Sequence, residues 1–262
     1  MISVAALVVM VSINGHGPYR FLVDTGAASC VLDPALSREL GLRPEYRVEV
    51  VTPTGSAVVP VARAAIGVEE REAELEVLLY SPRDARVRGV LGQSFLSRHN
   101  YWLDSRRGRI EWGGEAPPGR RVPLTMIEGR PAITAEPEGR LILDSGASHV
   151  VLFHSTAGTE GRFHIETLAG KGYARLRRIP RLRVGDQVLS SLDAAIVDGR
   201  ERTEDGLLPT SLFEGVYVNN RESYVVLNPV AGKPASACCA VKSGSPVRSR
   251  ESKRKVSRNW PA

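Results

Sequence analysis

Short apolar runs separated by Gly-, Pro- and Asn-containing turns make up most of the chain. Val4 to Ile13 and Tyr19 to Val23 flank Asn14-Gly15, a strong signal for a β-hairpin. Helical signals are short, such as Asp33-Pro34 before Ala35 to Gly41. The pattern therefore predicts an all-β fold with a few short helices. Further strands are predicted at Cys30 to Leu32, Val48 to Val51, Ala57 to Val61, Ala62 to Val68, Ala73 to Tyr80, Tyr101 to Asp104 and Arg109 to Trp112.

One stretch of the chain occurs twice. The first copy is Phe21-Leu22-Val23-Asp24-Thr25-Gly26-Ala27, and the second, Leu141-Ile142-Leu143-Asp144-Ser145-Gly146-Ala147, follows 120 residues later. Gly206 to Phe213 likewise repeats Gly89 to Leu96 at an offset of 117. Two features at nearly one offset, on either side of the linker Gly113 to Gly119, indicate an internal duplication. The predicted domains are residues 1–114 and 115–230, followed by a tail at 231–262.

Each copy places a carboxylate at the end of an apolar run. Such a run is typical of a buried strand, and the Gly beyond it permits a sharp turn. If Asp24 and Asp144 lie close together, they share one proton. The ionised carboxylate can then activate a water while the neutral one protonates a carbonyl oxygen. No Gly-x-Ser-x-Gly elbow, His-Glu-x-x-His motif or phosphate-binding loop in the sequence supplies a competing site.

The two Asp-Thr/Ser-Gly-Ala motifs, each with its later apolar-apolar-Gly-like segment, resemble the aspartic peptidase superfamily. The likeness is greater to two-lobed bacterial members with compact, retropepsin-like lobes, and it covers Val4 to Pro229. It implies two similar closed-barrel lobes with a catalytic cleft between them. One catalytic aspartate would come from each lobe, Asp24 from the first and Asp144 from the second.

The resemblance also implies supporting roles. The two hydroxyl residues would hydrogen-bond across the lobe interface, and the glycines and alanines after them would bring backbone N–H groups to the carboxylates. These residues are Thr25 and Ser145, Gly26 and Gly146, and Ala27 and Ala147. The flap over the substrate would be Thr52, Pro53, Thr54, Gly55 and Ser56, with Leu168, Ala169 and Gly170 at the corresponding place in the second lobe.

The chain departs from the family pattern near the dyad. Pro209 stands where the pattern has Gly, which restricts the backbone, and we expect the fold to tolerate it. Neither flap tip carries a Tyr, so a flap hydrogen bond would come from backbone or Thr/Ser groups. Ala27 and Ala147 stand where a hydroxyl could lower the carboxylate pKa. We therefore expect activity at mildly acidic or neutral pH rather than below about pH 3, since an unperturbed Asp has a pKa of ~3.9.

Composition adds little beyond the tail. The apolar fraction of 42% and the charged fraction of 24% are ordinary for a globular protein. Residues 231–262 hold eight Lys or Arg and one acid, Glu251, so the formal charge of the tail is +7. Because the whole chain has a net charge of +6, residues 1–230 together carry −1. We interpret the tail as disordered and solvated. Binding of nucleic acid or anionic lipid, or lipidation at Cys238-Cys239, is the alternative, and the tail lacks the aromatic pattern of nucleic-acid binding.

The remaining candidates have simple interpretations. Three cysteines cannot form a disulfide framework, no Cys/His spacing predicts a metal site, and no cofactor is expected. Cys30 is expected to be a small buried residue rather than a nucleophile, and His149 and His154 are expected at the surface. The apolar start is interpreted as a strand, with a degenerate export signal as the alternative, and no segment has the length of a membrane span. A cytoplasmic location is therefore favoured.

The sequence thus predicts a monomeric aspartic endopeptidase that acts on a peptide or protein substrate, with no nucleic acid partner. The alternative is a non-catalytic peptide-binding or scaffold protein that retains the fold and binds extended peptides as an added strand.

Overall fold

Strands dominate the computed structural model, which describes residues 7–52, 55–82, 84–153, 161–167, 170–197 and 202–228. The first half of the described chain comprises β1 Val8–Ile13, β2 His16–Val23, β3 Cys30–Leu32, α1 Pro34–Glu39, β4 Tyr46–Thr52, β5 Gly55–Val68, β6 Arg71–Leu79, β7 Gly89–Leu91, α2 Gln93–Leu96, β8 Tyr101–Asp104 and β9 Arg109–Trp112.

Among the described residues, the second half has two more strands and one helix fewer than the first. It comprises β10 Arg121–Pro123, β11 Thr125–Ile127, β12 Arg130–Ala135, β13 Gly139–Asp144, β14 Val150–Leu152, β15 Gly161–Thr167, β16 Gly170–Val184, β17 Gln187–Ile196, β18 Gly206–Pro209, a 3₁₀-helix at Thr210–Leu212, β19 Gly215–Asn219 and β20 Tyr224–Leu227.

Local sequence explains the first turns. Asn14 and Gly15 both have positive φ, as a two-residue turn between β1 and β2 requires, and Ile13 pairs with His16 across it. The Asp33 side chain caps α1 by accepting a hydrogen bond of 2.7 Å from the Ala35 N–H. Pro34 starts the helix, where the missing N–H costs nothing.

The first lobe, which we define as strands β1 to β7, is a closed six-stranded barrel. Its strand order is β1-β2-β7-β3-β6-β5, and β5 returns to β1 through the pairs Ser12–Gly67 and Ile13–Ile66. Fully buried apolar side chains, such as Phe21 and Leu91, fill the interior. Strand β4 lies outside the barrel and pairs only with β5 among the described strands, which makes the β4–β5 hairpin a projection from the barrel.

The second lobe, strands β11 to β18, repeats this order as β12-β13-β18-β14-β17-β16. Its ring is completed by one bridge, in which Glu136 and Arg183 exchange backbone hydrogen bonds of 2.8 and 2.9 Å. Strand β15 projects with β16 as β4 does with β5. The expected all-β fold with two similar lobes is therefore confirmed.

A third sheet joins the two halves. Its order is β10-β20-β19-β8-β9, and its central ladder pairs β8 of the first half with β19 of the second. The described residues all belong to one compact unit, residues 1–232. The linker Gly113 to Gly119 contains no strand or helix, and the domain boundaries at 114 and 230 stay predictions.

Several details differ from the sequence predictions. Ala57 to Val61 and Ala62 to Val68 belong to one continuous strand, β5, because Val61 pairs with both Tyr46 of β4 and Leu78 of β6 and the ladder with β6 runs on to Val68. Among the described residues, β1 begins at Val8, and the predicted start of this strand at Val4, with the rest of residues 1–6, lies outside the described residues, as do His154 and the tail at 231–262. Within the described part of the chain, no helix is long and apolar enough to cross a membrane.

Candidate active site

The two aspartates occupy equivalent places in the two lobes. Asp24 directly follows β2, and Asp144 is the last residue of β13. Each of these strands lies parallel to a later strand of its own lobe, β7 in the first and β18 in the second. The Asp24 N–H donates to the Leu91 carbonyl at 3.0 Å, so the strand behind fixes the backbone of the aspartate.

Each carboxylate receives two backbone N–H groups from its own loop. Gly26 and Ala27 donate to Asp24 Oδ1 at 2.9 and 3.2 Å. In the second lobe, the two equivalent N–H groups donate to Asp144 Oδ1 at 2.8 and 2.9 Å. In both cases the same oxygen is engaged, so Oδ2 of each carboxyl is left without these backbone donors.

Thr25 and Ser145 exchange hydrogen bonds across the lobe interface. Thr25 Oγ1 donates to the Leu143 carbonyl at 2.7 Å and accepts the Ser145 N–H at 2.9 Å. Ser145 Oγ donates to the Val23 carbonyl at 2.8 Å and accepts the Thr25 N–H at 3.0 Å. Four hydrogen bonds therefore connect the two loops, and each hydroxyl both donates and accepts, as a hydroxyl can.

The glycines let each loop approach the opposite carboxyl. A Cβ at Gly26 would lie 2.5 Å from Asp144 Oδ2, and a Cβ at Gly146 would lie 2.6 Å from Asp24 Oδ2. Both distances are shorter than any ordinary van der Waals contact. Each aspartate therefore lies against the loop of the other lobe.

The two carboxyls are paired with each other, and burial raises the pKa of both. For Asp24, burial raises the pKa above its ordinary value, and the hydrogen bonds from Gly26, with Asp144 and from Ala27 offset part of the rise. For Asp144, burial and the charge of Asp24 together raise the pKa to about 8. Such a pair retains one proton through the neutral range, as acid–base catalysis by two carboxyls requires.

Two segments of the chain match protein families, and each contains one of the aspartates. Residues 9–98, with Asp24, match the family model described as gag-polyprotein putative aspartyl protease. Residues 126–212, with Asp144, match the one described as aspartyl protease. The chain thus carries two aspartyl protease domains in tandem. It matches no curated protein.

The β4–β5 hairpin of the first aspartyl protease domain holds the described part of the predicted flap. Thr52 ends β4, is buried, and donates through Oγ1 to the Gly55 carbonyl at 3.1 Å. Ser56 is half-buried and pairs with Val51. In the second domain, Gly170 begins β16 and pairs with Thr167. The predicted flap residues Pro53, Thr54, Leu168 and Ala169 lie outside the described residues.

The structure also shows where other single residues discussed from the sequence lie. Cys30 is fully buried, which raises its thiol pKa and fits the expected packing role. His149 is exposed, as expected. Pro209 has φ −60° and an extended backbone at the end of β18, so the fold accommodates it without strain. No group of three or more His, Cys, Asp or Glu among the described residues could hold a metal ion.

Sequence reasoning missed two supports of the site. Gln93 is buried and donates through Nε2 to the Thr25 carbonyl at 2.9 Å, which holds the first dyad loop from behind. Its position directly after the repeated Val90-Leu91-Gly92 segment could have drawn attention to it. Arg202 donates through Nη2 to the Thr52 carbonyl at 2.8 Å, from one lobe to the other. No local motif marks that arginine.

Proposed function

We propose that this protein is an aspartic endopeptidase in which Asp24 and Asp144 hydrolyse peptide bonds through a shared water. The observation that carries the proposal is the pair of hydrogen-bonded carboxyls, one from each aspartyl protease domain, with the pKa of both raised. Two carboxyls that titrate apart supply one general acid and one general base at the same pH.

In the proposed mechanism, the ionised carboxylate accepts a proton from a water while the neutral carboxyl donates to the scissile carbonyl oxygen. The two carboxyls share one proton, so at any moment one member of the pair acts as the base and the other as the acid. The water adds to the carbonyl carbon. The resulting intermediate then loses its amine after proton transfer back through the pair. No covalent bond to the enzyme is needed.

The surrounding residues have proposed supporting roles. Thr25 and Ser145 hold the two loops together, and the N–H groups at Gly26, Ala27, Gly146 and Ala147 orient the carboxylates. The β4–β5 hairpin is the proposed flap, with the corresponding hairpin of the second lobe opposite it. The similarity of residues 9–98 to a gag-polyprotein protease family supports retropepsin-like lobes. Because one chain supplies both aspartates, a monomer is sufficient for catalysis, and the bacterial origin stays a prediction.

The test is hydrolysis of a broad peptide library by the wild type, Asp24→Asn and Asp144→Asn. We expect cleavage by the wild type and a loss of about 10³-fold or more in kcat/KM in each variant, since one partner of the acid–base pair is gone. Asp193→Asn is the matched control, because Asp193 is half-exposed and pairs only at the surface with Arg178. If the wild type cleaved the library as little as Asp24→Asn does, the non-catalytic peptide-binding alternative would be favoured.

A further inference from the structure

A nearly buried cluster of charges lies in the second lobe. Glu204 has only 1% of its side chain exposed, and Arg130 and Arg202 each have 13% exposed. Glu204 Oε1 lies 3.1 Å from Arg130 Nη2 and 3.4 Å from Arg202 Nη1. Arg130 also pairs with the exposed Glu128 at 3.0 Å. The cluster therefore contains two positive and two negative charges.

A buried ionic cluster is a poor means of stabilising a fold. Removing charges from water costs free energy that their mutual attraction often does not repay, and well-packed apolar residues commonly do as well. Buried pairs are better explained where they fix one geometry of a group with another task. Here the second contact of Arg202 identifies such a task.

Arg202 contacts Glu204 through Nη1 and the first lobe through its other terminal nitrogen, Nη2. Nη2 donates to the Thr52 carbonyl at 2.8 Å. On its face, the Arg202 guanidinium carbon lies 4.2 Å from the centre of the Phe153 ring, a cation–π contact. Glu204 and Phe153 of the second lobe thus orient the planar group toward the hairpin of the first.

The hairpin is suited to receive this contact. Thr52 is the last residue of β4, and its pair with Gly55 is the last of the β4–β5 ladder. Because β4 is the outermost strand in the order of its sheet, one side of its backbone has no neighbouring strand in that sheet. The Thr52 hydroxyl bonds the Gly55 carbonyl at 3.1 Å, which ties the two strands together at the point where Arg202 attaches.

We propose that Arg202, oriented by Glu204 and Phe153, is a positioning residue that docks the β4–β5 hairpin of the first lobe onto the second lobe before substrate binds. The proposal deepens the peptidase function and rests on it for its catalytic consequence. A peptide substrate then meets a hairpin that is already in place, so binding does not have to order it. Arg202 acts through the hairpin and does not touch the reacting atoms.

The first measurement is amide hydrogen exchange of the full chain, compared between wild type and Arg202→Ala. We expect exchange in the hairpin to be about tenfold faster in the variant, because a charge-assisted hydrogen bond is lost, while exchange in the first-lobe barrel core is unchanged. This readout does not depend on catalysis. Unchanged exchange in the hairpin would overturn the proposal while leaving the chemistry of the dyad untouched.

Two further variants separate positioning from general stability. Arg140→Ala is the matched control, because Arg140 Nη2 donates to the Thr203 carbonyl at 3.0 Å, a similar bond in the same segment that stays within the second lobe. It should leave hairpin exchange as in the wild type. Arg202→Gln combined with Glu204→Gln removes the buried charge that Arg202→Ala would leave poorly paired. It should still accelerate hairpin exchange, and normal exchange in that double variant would overturn the proposal.

The second measurement is steady-state kinetics on one cleaved peptide. We expect Arg202→Ala to raise KM about tenfold with kcat changed less than about threefold, because the hairpin positions substrate and not the carboxyls. Arg202→Lys, which keeps the charge and one donor direction, should recover part of the loss. An equal fall in kcat for Arg202→Ala and Arg140→Ala would overturn the positioning role. If the wild type cleaves no peptide, the proposed function fails, and hydrogen exchange alone decides the docking.

Discussion

The two lobes use the same backbone arrangement at the dyad and different chemistry directly behind it. In the first lobe, Gly92 follows β7, and its N–H donates to Cys30 Sγ at 3.4 Å. The strand registers place Pro209 and Val150 at the equivalent positions of the second lobe. There the proline has no N–H to donate and the valine has no atom to accept one.

This difference between the lobes shows which residues near the aspartates depend on a hydrogen-bonding partner. The first lobe has both the N–H donor, at Gly92, and the sulfur acceptor, at Cys30, whereas the second lobe has neither, with Pro209 and Val150 in their places. Neither lobe therefore leaves an unpaired N–H at this position. At the dyad, by contrast, Thr25 and Ser145 keep the same four hydrogen bonds in both directions. The symmetry is therefore strict where the lobes touch and relaxed one layer away.

The largest effect is expected when a methyl group is added to Gly26 or Gly146, the glycines that follow the two aspartates. In Gly26→Ala the new Cβ would lie 2.5 Å from Asp144 Oδ2, so this buried carboxyl must move away from its partner. We expect kcat to fall about 10²-fold or more, since small misplacements of reacting groups have effects of that size. Gly146→Ala should behave alike, because its Cβ would lie 2.6 Å from Asp24 Oδ2.

Gly161→Ala is the control for these glycine variants, because no atom lies within 4 Å of a Cβ there and its φ is not positive. It should retain wild-type kcat. If one dyad glycine tolerated alanine and the other did not, the equivalence of the two loops would be disproved.

The next effect is expected from the interlobe hydroxyls. Thr25→Val keeps the shape of the side chain but leaves the Leu143 carbonyl and the Ser145 N–H without their partner. We expect the free energy of unfolding, measured with urea, to fall by about 2–6 kcal/mol, from about 1–3 kcal/mol for each of the two unpaired buried groups. Ser145→Ala should give a similar loss, since its hydroxyl makes the reciprocal two bonds.

Thr25→Ser tests whether the hydroxyl carries this effect. It retains the group that Ser145 already uses in the second lobe, so the loss should stay below about 1.5 kcal/mol, the cost of a removed methyl group. A loss as large as that of Thr25→Val would mean that packing of the methyl group, and not the hydrogen bonds, holds the loops.

The smallest effect is expected behind the dyad. Pro209→Gly gives the chain more freedom when unfolded and introduces an N–H that faces Val150 instead of a sulfur. We expect the free energy of unfolding to fall by about 1.5–4 kcal/mol, from about 0.4–1 kcal/mol for the freer unfolded chain and about 1–3 kcal/mol for the unpaired N–H. Adding Val150→Cys should recover part of it by recreating the first-lobe pair. A neutral Pro209→Gly, with no gain from the added cysteine, would refute the explanation by paired donor and acceptor.

Sequence alone predicts much of the fold and of the central site, because both depend on local patterns. The buried strand, the aspartate and the glycine turn are contiguous, so the motif at Asp24 and its repeat at Asp144 could be found without coordinates. The all-β class likewise follows from short apolar runs between turns. The hydroxyl exchange between Thr25 and Ser145 was predicted only through the family resemblance.

What sequence could not predict depends on distant contacts. Arg202 and Thr52 are 150 positions apart, and nothing in the local pattern links an arginine before β18 to the end of β4. The closure of the second barrel through the bridge between Glu136 and Arg183 also leaves no trace in hydrophobic periodicity. Such contacts follow from the way the two lobes pack, which a one-dimensional pattern does not encode.

The most direct test of the account is the pH dependence of kcat/KM for one cleaved peptide. The proposed reaction needs one ionised and one protonated carboxyl, and the pKa of Asp144 is raised to about 8. Activity should therefore fall as pH rises through about 8, when the retained proton is lost, and fall again at acidic pH, when the second carboxyl binds a proton. The account predicts a bell-shaped profile with its maximum at mildly acidic or neutral pH, abolished in Asp24→Asn. A maximum below about pH 3, under the ordinary Asp pKa of ~3.9, would contradict it.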